Sequence, residues 1–293
     1  MVPDWRRDNI NTFVHRVYDE VHREKPWIRV GISPFGIWRP DHPKGVKGFD
    51  AYESLYADSL HWLTSGWVDY LAPQLYWKID SPQPHAQLLD WWLGNSLRSQ
   101  QRPILVGNFT SKVGEKPEGQ KVWAPEEVLN QITIARERSH HGAAGNIHFS
   151  AVALTHNRAG IADALAHGPY AEPAIPPEMK WLACGSRPIA PRLDIPAESS
   201  EQIVLRWSGS DSPQPMRRWT LWTRYGGLWS MRVMAGTPEV AGGHTALDRQ
   251  TAAGELDRVA IAEVDVYGRT GSLTVVRIGT STPDASQTAT VIP

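Results

Sequence analysis

The first 170 residues alternate between short apolar segments and helical segments, and no other feature constrains the fold as strongly. A helical pattern over residues 5–24 precedes four strand-like runs at 27–36, 68–77, 103–110 and 143–151. Helical patterns follow these runs at residues 52–65, 83–99, 126–139 and 157–166. Strands that alternate with helices form right-handed βαβ units and a parallel sheet. The sequence therefore predicts an α/β domain of four βα units.

Four βα units fit two architectures. They can form half of an eight-stranded (β/α)8 barrel of the TIM type, or a small open sheet of the flavodoxin type. The open sheet is the weaker alternative because the sequence contains no glycine-rich loop that would hold a phosphate group. In both architectures, functional side chains collect where strands end and loops begin.

The pattern changes after Gly168. The run GPYAEPAIPP holds four prolines in ten residues, which is typical of a stiff linker. Beyond it, apolar residues alternate with period two, as in QIVLRWS (202–208) and RWTLWTRY (218–225), and pairs such as Gly242-Gly243 resemble turns. We predict an α/β domain over residues 1–168, a linker over 169–187, and an all-β sandwich of the fibronectin or immunoglobulin type over 188–293.

Composition excludes several classes of function. The 30 Lys and Arg residues balance 31 Asp and Glu residues, so no general field attracts nucleic acid. No apolar stretch approaches the ~20 residues of a membrane span. A single cysteine, Cys184, excludes an intrachain disulfide and a cysteine-based zinc site. We predict no metal, no cofactor, no nucleic-acid partner and no membrane span.

Polar and aromatic side chains follow each predicted strand. Sugars present hydroxyl edges that bond to amides and apolar faces that stack on aromatic rings, so this mixture predicts a carbohydrate cleft. The 14 tryptophans allow the alternative that many of these rings fill a core, and His148 can equally be a core histidine with satisfied hydrogen bonds. The predicted glycan-binding residues are Trp38, Gln74, Tyr76, Trp77, Asn108, Lys112 and His148.

Carboxylates are scarce at these positions. Glycoside hydrolysis usually needs two carboxylates that flank the scissile bond, and none lies within a predicted strand end. Asp41 and Glu115 lie in loops that leave strand ends and are weak catalytic candidates, with solvated loop carboxylates as the alternative. Asp69, at the start of its strand, is predicted to be structural. A non-catalytic carbohydrate-binding or interaction module is therefore an alternative to an enzyme.

Four runs resemble a known family: DWRRDNIN, GISPFGIWR, YADSLHWLTSGWVDYLAPQLYW and GNFTSKVG. They are similar to the C-terminal half of the bacterial glycosyl-hydrolase-like family 10, over roughly residues 3–168. The resemblance implies barrel strands five to eight followed by a fibronectin-like domain. It also implies that Trp38, Gln74, Tyr76, Trp77 and Asn108 line a cleft.

The family has about four more βα units before DWRR, including a strand end with an Asp-Asp-Tyr run that this sequence lacks. The resemblance thus implies a glycosidase that acts on peptidoglycan-type cell-wall glycan, with its catalytic carboxylates in a half outside this chain. The chain alone is then expected to be inactive, and to self-associate or to need that half, because half a barrel leaves two open edges. Family members are secreted, periplasmic or lipid-anchored, but the sequence shows no signal-peptide pattern, so the location stays open.

Overall fold

The computed structural model describes residues 2–114, 122–182, 185–209, 218–235 and 242–279. The chain forms two compact units. The first comprises Met1–Ala171 and Met179–Ala183, and the second comprises Glu172–Glu178 and Cys184–Pro293. The segment predicted as a linker, residues 169–187, is therefore divided between both units.

The first unit contains a four-stranded parallel sheet in the order β1-β2-β3-β4. The strands are β1 (Gly31–Ile32), β2 (Tyr70–Leu71), β3 (Ile104–Asn108) and β4 (Ala143–His148). This sheet confirms the predicted α/β class and the four βα units. β1 and β2 are shorter than the predicted runs because Pro34 and Pro73 have no N–H to continue the ladder. Isolated bridges nevertheless carry the pairing from Phe35 to Gln74 and from Gln74 to Gly107.

Seven α-helices occur in the described part of this unit. They are α1 (Val2–Glu24), α2 (Ala51–Ser54), α3 (Ser59–Ser65), α4 (His85–Leu97), α5 (Pro125–Glu137), α6 (Ala151–Thr155) and α7 (Ile161–Ala166). The prediction of a single helix over residues 52–65 was wrong, because the chain forms two helices there, α2 and α3. Tyr56 adopts a left-handed φ of 55°, and Asp58 caps α3 by accepting a hydrogen bond from the His61 N–H.

Helices cover one face of the sheet. Leu71, Ile104 and Val106 of the strands pack with Leu88 and Trp92 of α4 in one buried cluster. Other apolar surface stays exposed. Ile147 of the edge strand β4 is 40% exposed, and Phe13 and Val17 of α1 are 68% and 38% exposed.

A buried carboxylate lies at the amino end of β2. Asp69 is fully buried, and its Oδ2 accepts a hydrogen bond from the Val30 N–H at 2.7 Å. Its Oδ1 accepts bonds from Trp181 Nε1 at 2.6 Å and from the Tyr18 hydroxyl at 3.2 Å. Burial and the nearby Asp69 charge raise the pKa of Tyr18 to about 12. These contacts confirm that Asp69 is structural, because it joins α1, the start of the sheet and a segment more than a hundred residues away.

The regular secondary structure described in the second unit consists of β-strands. Its strands are β5 (Arg192–Glu198), β6 (Gln202–Ser208), β7 (Arg218–Tyr225), β8 (Leu228–Ala235), β9 (Gly242–Asp248), β10 (Gln250–Thr251), β11 (Gly254–Val264) and β12 (Thr274–Arg277). They form two antiparallel sheets, β5-β6-β9 and β10-β11-β7-β8, with β12 beside β11. Side chains from both sheets share one core, in which Trp207 meets Trp219 edge to face at 6.1 Å.

The turn predicted at Gly242-Gly243 was wrong, because both glycines lie in β9. A Cβ at Gly243 would lie 2.5 Å from the Trp207 ring, so this strand position needs glycine for packing rather than for a bend. None of the helices in the described ranges has the length and apolar character needed to cross a bilayer.

Candidate functional site

Three aromatic rings gather where β2, β3 and β4 end. Tyr76 lies 4.7 Å from Phe109 and 5.7 Å from Phe149 between ring centroids, and Phe109 lies 5.8 Å from Phe149. Phe149 is 51% exposed, and burial raises the pKa of Tyr76. We call these three residues the aromatic triad. Sequence reasoning missed Phe109 and Phe149, although each directly follows the last residue of its strand.

Lys112 lies beside the aromatic triad. Its Nζ is 5.2 Å from the centroid of the Phe109 ring, which is within the range of a cation–π contact. The structure thus brings together two of the predicted glycan-binding residues, Tyr76 and Lys112. This arrangement offers flat apolar faces with one positive charge at their margin.

A second aromatic group surrounds Trp77. Its ring meets Phe35 edge to face at 5.7 Å, and Phe35 in turn meets Phe49 at 5.3 Å. Gly36 permits this packing, since a Cβ there would lie 2.9 Å from the Trp77 ring and 2.2 Å from the Gln74 carbonyl oxygen. Gln74 itself donates from Nε2 to the Ser33 carbonyl at 3.1 Å, so its amide holds the end of β1.

The loop that carries Trp77 is held from behind by α5. Gln131 Nε2 donates to the Trp77 carbonyl at 3.1 Å, and Glu127 Oε1 accepts from the Ile79 N–H at 2.8 Å. Asn108, fully buried, donates from Nδ2 to Gln131 Oε1 at 2.9 Å. Asn108 therefore acts on the Trp77 loop through Gln131, and its side chain is not on the surface. Gln131 and Glu127 carry no sequence signal, because they look like ordinary polar helix residues.

Trp38 lies in a third group of rings. Its ring stacks on Trp91 at 6.0 Å with planes 21° apart, and it meets His42 edge to face at 5.1 Å. Its Nε1 donates to Asp58 Oδ1 at 3.1 Å. Asp58 thus fixes Trp38 as well as capping α3.

His148 is enclosed between two hydroxyl groups. Its Nδ1 lies 2.7 Å from Thr110 Oγ1, and its Nε2 lies 2.8 Å from the Tyr170 hydroxyl. Burial lowers the pKa of His148, because it disfavours the charged ring. Burial also raises the pKa of Tyr170. Both ring nitrogens have hydrogen-bond partners, which matches the alternative of a satisfied histidine.

The described carboxylates near these groups bind loop backbone or side chains. Asp41, one catalytic candidate, accepts a hydrogen bond from the Gly45 N–H at 2.6 Å. Asp58 holds Trp38, and Glu127 holds the Trp77 loop. Glu115, the other catalytic candidate, lies outside the described residues. Over the ranges that the structure describes, no three His, Cys, Asp or Glu side chains lie close enough together to hold a metal ion.

Two known proteins are similar to this chain over part of its length. Glycosyl hydrolase YngK of Bacillus subtilis (strain 168) is 34% identical over 231 residues, which cover 76% of this chain and 44% of YngK. Glycosyl hydrolase DigH of Escherichia coli (strain K12) is 32% identical over 124 residues, which cover 41% of this chain and 28% of DigH. The chain thus spans less than half the length of either of these relatives.

A family model gives the same assignment. Residues 1–125 match the model of the family described as glycosyl hydrolase-like 10. The matched range contains β1 to β3 and the aromatic group formed by Phe35, Phe49 and Trp77. It also contains Tyr76 and Phe109 of the aromatic triad. This segment, residues 1–125, belongs to the glycosyl hydrolase-like 10 family.

Proposed function

We propose that the first unit supplies the glycan-binding edge of a glycoside hydrolase that acts on bacterial cell-wall glycan of the peptidoglycan type. The observation that carries this proposal is the presence of two aromatic groups after the parallel strands, one around Trp77 and one in the aromatic triad, with Lys112 beside the triad. Aromatic rings beside a few polar groups suit the apolar faces and hydroxyl edges of sugars. The family assignment and the names of the relatives favour hydrolysis as the reaction of the whole protein.

In this proposal, the sheet forms strands five to eight of a (β/α)8 barrel that a segment outside this chain completes. Three features support it. β1 and β4 are edge strands, Ile147 is exposed on β4, and α1 exposes Phe13 and Val17. Exposed strand edges and apolar faces are normally covered. The relatives are more than twice as long as the segments they share with this chain, so they have room for such a half.

The same proposal assigns the catalytic carboxylates to that outside segment. Glycosidases usually use two carboxyl groups on opposite sides of the scissile bond. Here Asp58 and Glu127 accept hydrogen bonds that hold Trp38 and the Trp77 loop, so both already have a positioning role. Because both carboxylates already hold other groups in place, the same observation favours the second candidate function, a non-catalytic carbohydrate-binding or interaction module.

One sample tests both functions. The chain is mixed with peptidoglycan glycan strands freed of their peptides, and bound protein and released saccharides are both measured. Binding without release supports the proposed edge. Release of saccharides would mean that a carboxylate of this chain is catalytic, with Asp41 and Glu115 the first to replace. Absence of binding would refute the glycan proposal.

A matched pair of variants locates the binding surface. Trp77→Ala is expected to weaken binding about tenfold, since loss of a stacked ring costs on the order of 1.4 kcal/mol. Trp5→Ala removes a ring that is 66% exposed on α1, and it should leave binding unchanged. Equal effects of both substitutions would argue against a specific surface at the strand ends.

A further inference from the structure

Two tryptophans lie on the outer face of one sheet of the second unit. Trp222 of β7 is directly opposite Met231 of β8, and Trp229 of β8 is directly opposite Arg224 of β7. The two tryptophans are therefore diagonal neighbours, and such neighbours lie about 7–8 Å apart. We call Trp222, Trp229 and Met231 the indole patch. Rings at this spacing can contact neighbouring units of one extended ligand.

The indole patch lies on the face of the sheet that is opposite the shared core. Leu221 of β7 belongs to that core and precedes Trp222, so the two side chains point to opposite faces. Trp222 and Trp229 are half-buried, and Met231 is 43% exposed. Trp222 Nε1 is buried, so the part of this ring that reaches solvent is carbon. The indole patch thus presents apolar surface to solvent.

The open part of this outer face is limited to the hairpin end of β7 and β8. Farther along the same face, Thr220 of β7 is directly opposite Val233 of β8 and Ala262 of β11, and all three are buried. Contiguous exposed apolar surface that is rimmed by polar residues marks a binding surface. The indole patch is therefore a bounded candidate site rather than part of a uniformly open sheet.

A charged pair forms the polar rim of the indole patch. Arg224 Nε donates to Asp257 Oδ1 at 2.8 Å, and Arg224 Nη2 donates to Asp257 Oδ2. These hydrogen bonds are the main cause of the lowered pKa of Asp257. The Arg224 guanidinium carbon lies 5.7 Å from the centroid of the Trp229 ring, which is within the range of a cation–π contact. The pair is thus held beside the Trp229 ring.

The Arg224–Asp257 pair keeps hydrogen-bonding capacity toward a ligand. The Asp257 side chain is 45% exposed, and a carboxylate accepts about four hydrogen bonds. Arg224 directs the N–H groups of Nε and Nη2 at Asp257, whereas a guanidinium carries five N–H donors in all. The pair can therefore donate to one hydroxyl group and accept from its neighbour. Sugar rings carry such adjacent hydroxyl groups at their edges and apolar C–H groups on their faces.

We propose that the indole patch and the Arg224–Asp257 pair form a binding site for a glycan strand. One sugar ring stacks on Trp229 and bonds to the pair through its hydroxyl groups, while a neighbouring ring contacts Trp222. A purely apolar ligand would desolvate the charged pair without replacing its hydrogen bonds, which costs free energy. The site goes beyond the proposed function of the first unit, because it lies in the second unit and binds without hydrolysis.

The test measures the affinity of the full chain for N-acetylchitohexaose and for cellohexaose by isothermal titration calorimetry. We expect a hexasaccharide to bind. Trp229→Ala should weaken that binding about tenfold, which is the effect of losing one stacked ring. Asp257→Asn should weaken it several-fold, because the neutral amide accepts weaker hydrogen bonds than the carboxylate and no longer holds Arg224 by charge.

Leu228→Ala is the matched control. Leu228 adjoins Trp229 in the same hairpin and is 74% exposed, but it points to the other face, so its loss should leave the affinity unchanged. Circular dichroism confirms folding, and Asp257→Asn replaces Trp229→Ala if that variant unfolds. Equal losses in Leu228→Ala and in the site variant would overturn the proposal. An unchanged affinity in the site variant, or no binding of either hexasaccharide, would overturn it as well.

Trp77→Ala, measured in parallel, separates this site from the one proposed in the first unit. A loss in Trp229→Ala with unchanged affinity in Trp77→Ala assigns the binding to the second unit. A loss in Trp77→Ala alone would overturn the second site and leave the proposal for the first unit standing. Phosphatidylcholine vesicles provide an apolar probe, and vesicle binding that depends on Trp229 without hexasaccharide binding would refute the preference for sugar.

Discussion

Replacing Asp69 by asparagine should destabilise the first unit strongly while leaving its shape almost unchanged. The carboxylate is fully buried and accepts hydrogen bonds from Val30 N–H, Tyr18 Oη and Trp181 Nε1. An asparagine of the same size has one oxygen and one NH2 group. At least one of these donors must then face another donor.

The magnitude follows from the bonds that are lost. A hydrogen bond to a charged group contributes about 1.5–3 kcal/mol, and the bonds that remain weaken because their acceptor becomes neutral. We therefore expect the free energy of unfolding of the first unit to fall by about 3–4 kcal/mol in Asp69→Asn. Trp181→Phe removes a single donor and should cost about 1.5 kcal/mol.

The assay is urea unfolding followed by the helical circular dichroism signal. All the α-helices described belong to the first unit, so this signal reports on that unit. Asp19→Asn, at an exposed carboxylate of α1, is the control and should change stability by less than about 0.5 kcal/mol. A loss below about 1 kcal/mol in Asp69→Asn would refute the reasoning, because the donors would then have found other partners.

A spectroscopic titration gives a second readout of the same contact. The Asp69 charge is one cause of the raised pKa of Tyr18, which is about 12. Removal of that negative charge should lower the Tyr18 pKa toward its ordinary value. An unchanged tyrosine titration in Asp69→Asn would contradict the contact.

Three further results are expected. Burial lowers the pKa of His85 from 6.5 to about 4, so the unfolded chain binds a proton more readily than the folded chain. The free energy of unfolding should therefore fall by up to about 3 kcal/mol as the pH drops from 6.5 to 4. In His85→Asn, the urea midpoint should depend less on pH over this range. Glu127→Ala should weaken glycan binding several-fold in the pull-down by releasing the Trp77 loop, whereas Glu126→Ala, exposed on the same helical turn, should not. The isolated chain should self-associate through its exposed sheet edges in sedimentation velocity, and a single monomer with a cooperative, high melting transition would contradict this.

The alternation of strand and helix patterns was sufficient to predict the parallel sheet. It identified all four strands because a buried parallel strand is an uninterrupted apolar run. It placed β6 and β7 at their observed bounds because one face of each is buried and the pattern has period two. Local patterns could not show that Tyr56 interrupts a helix, since its left-handed φ depends on how the chain returns toward α3.

The candidate site was only partly predictable, for a different reason. Tyr76, Trp77 and Trp38 follow strands, and position along the chain is enough to find such residues. Gln131 and Glu127 act on the Trp77 loop across a distance of about fifty residues, and only the packed structure shows that they meet it. Asn108 also lies at the end of a strand, but its side chain points toward α5, because successive strand residues point to opposite faces of the sheet.

The contact between Trp181 and Asp69 has a practical consequence for dissecting this protein. The chain leaves the first unit at Ala171, contributes seven residues to the second, and returns with Met179–Ala183 before it leaves again. A fragment cut at the proline-rich run would lose the indole that donates to a fully buried carboxylate. Such a fragment would be less stable than the intact chain even though it keeps every strand and helix of its sheet. Exchange of the β-rich half between relatives should therefore preserve Met179–Ala183, and a recombination point after residue 187 is safer than one before it.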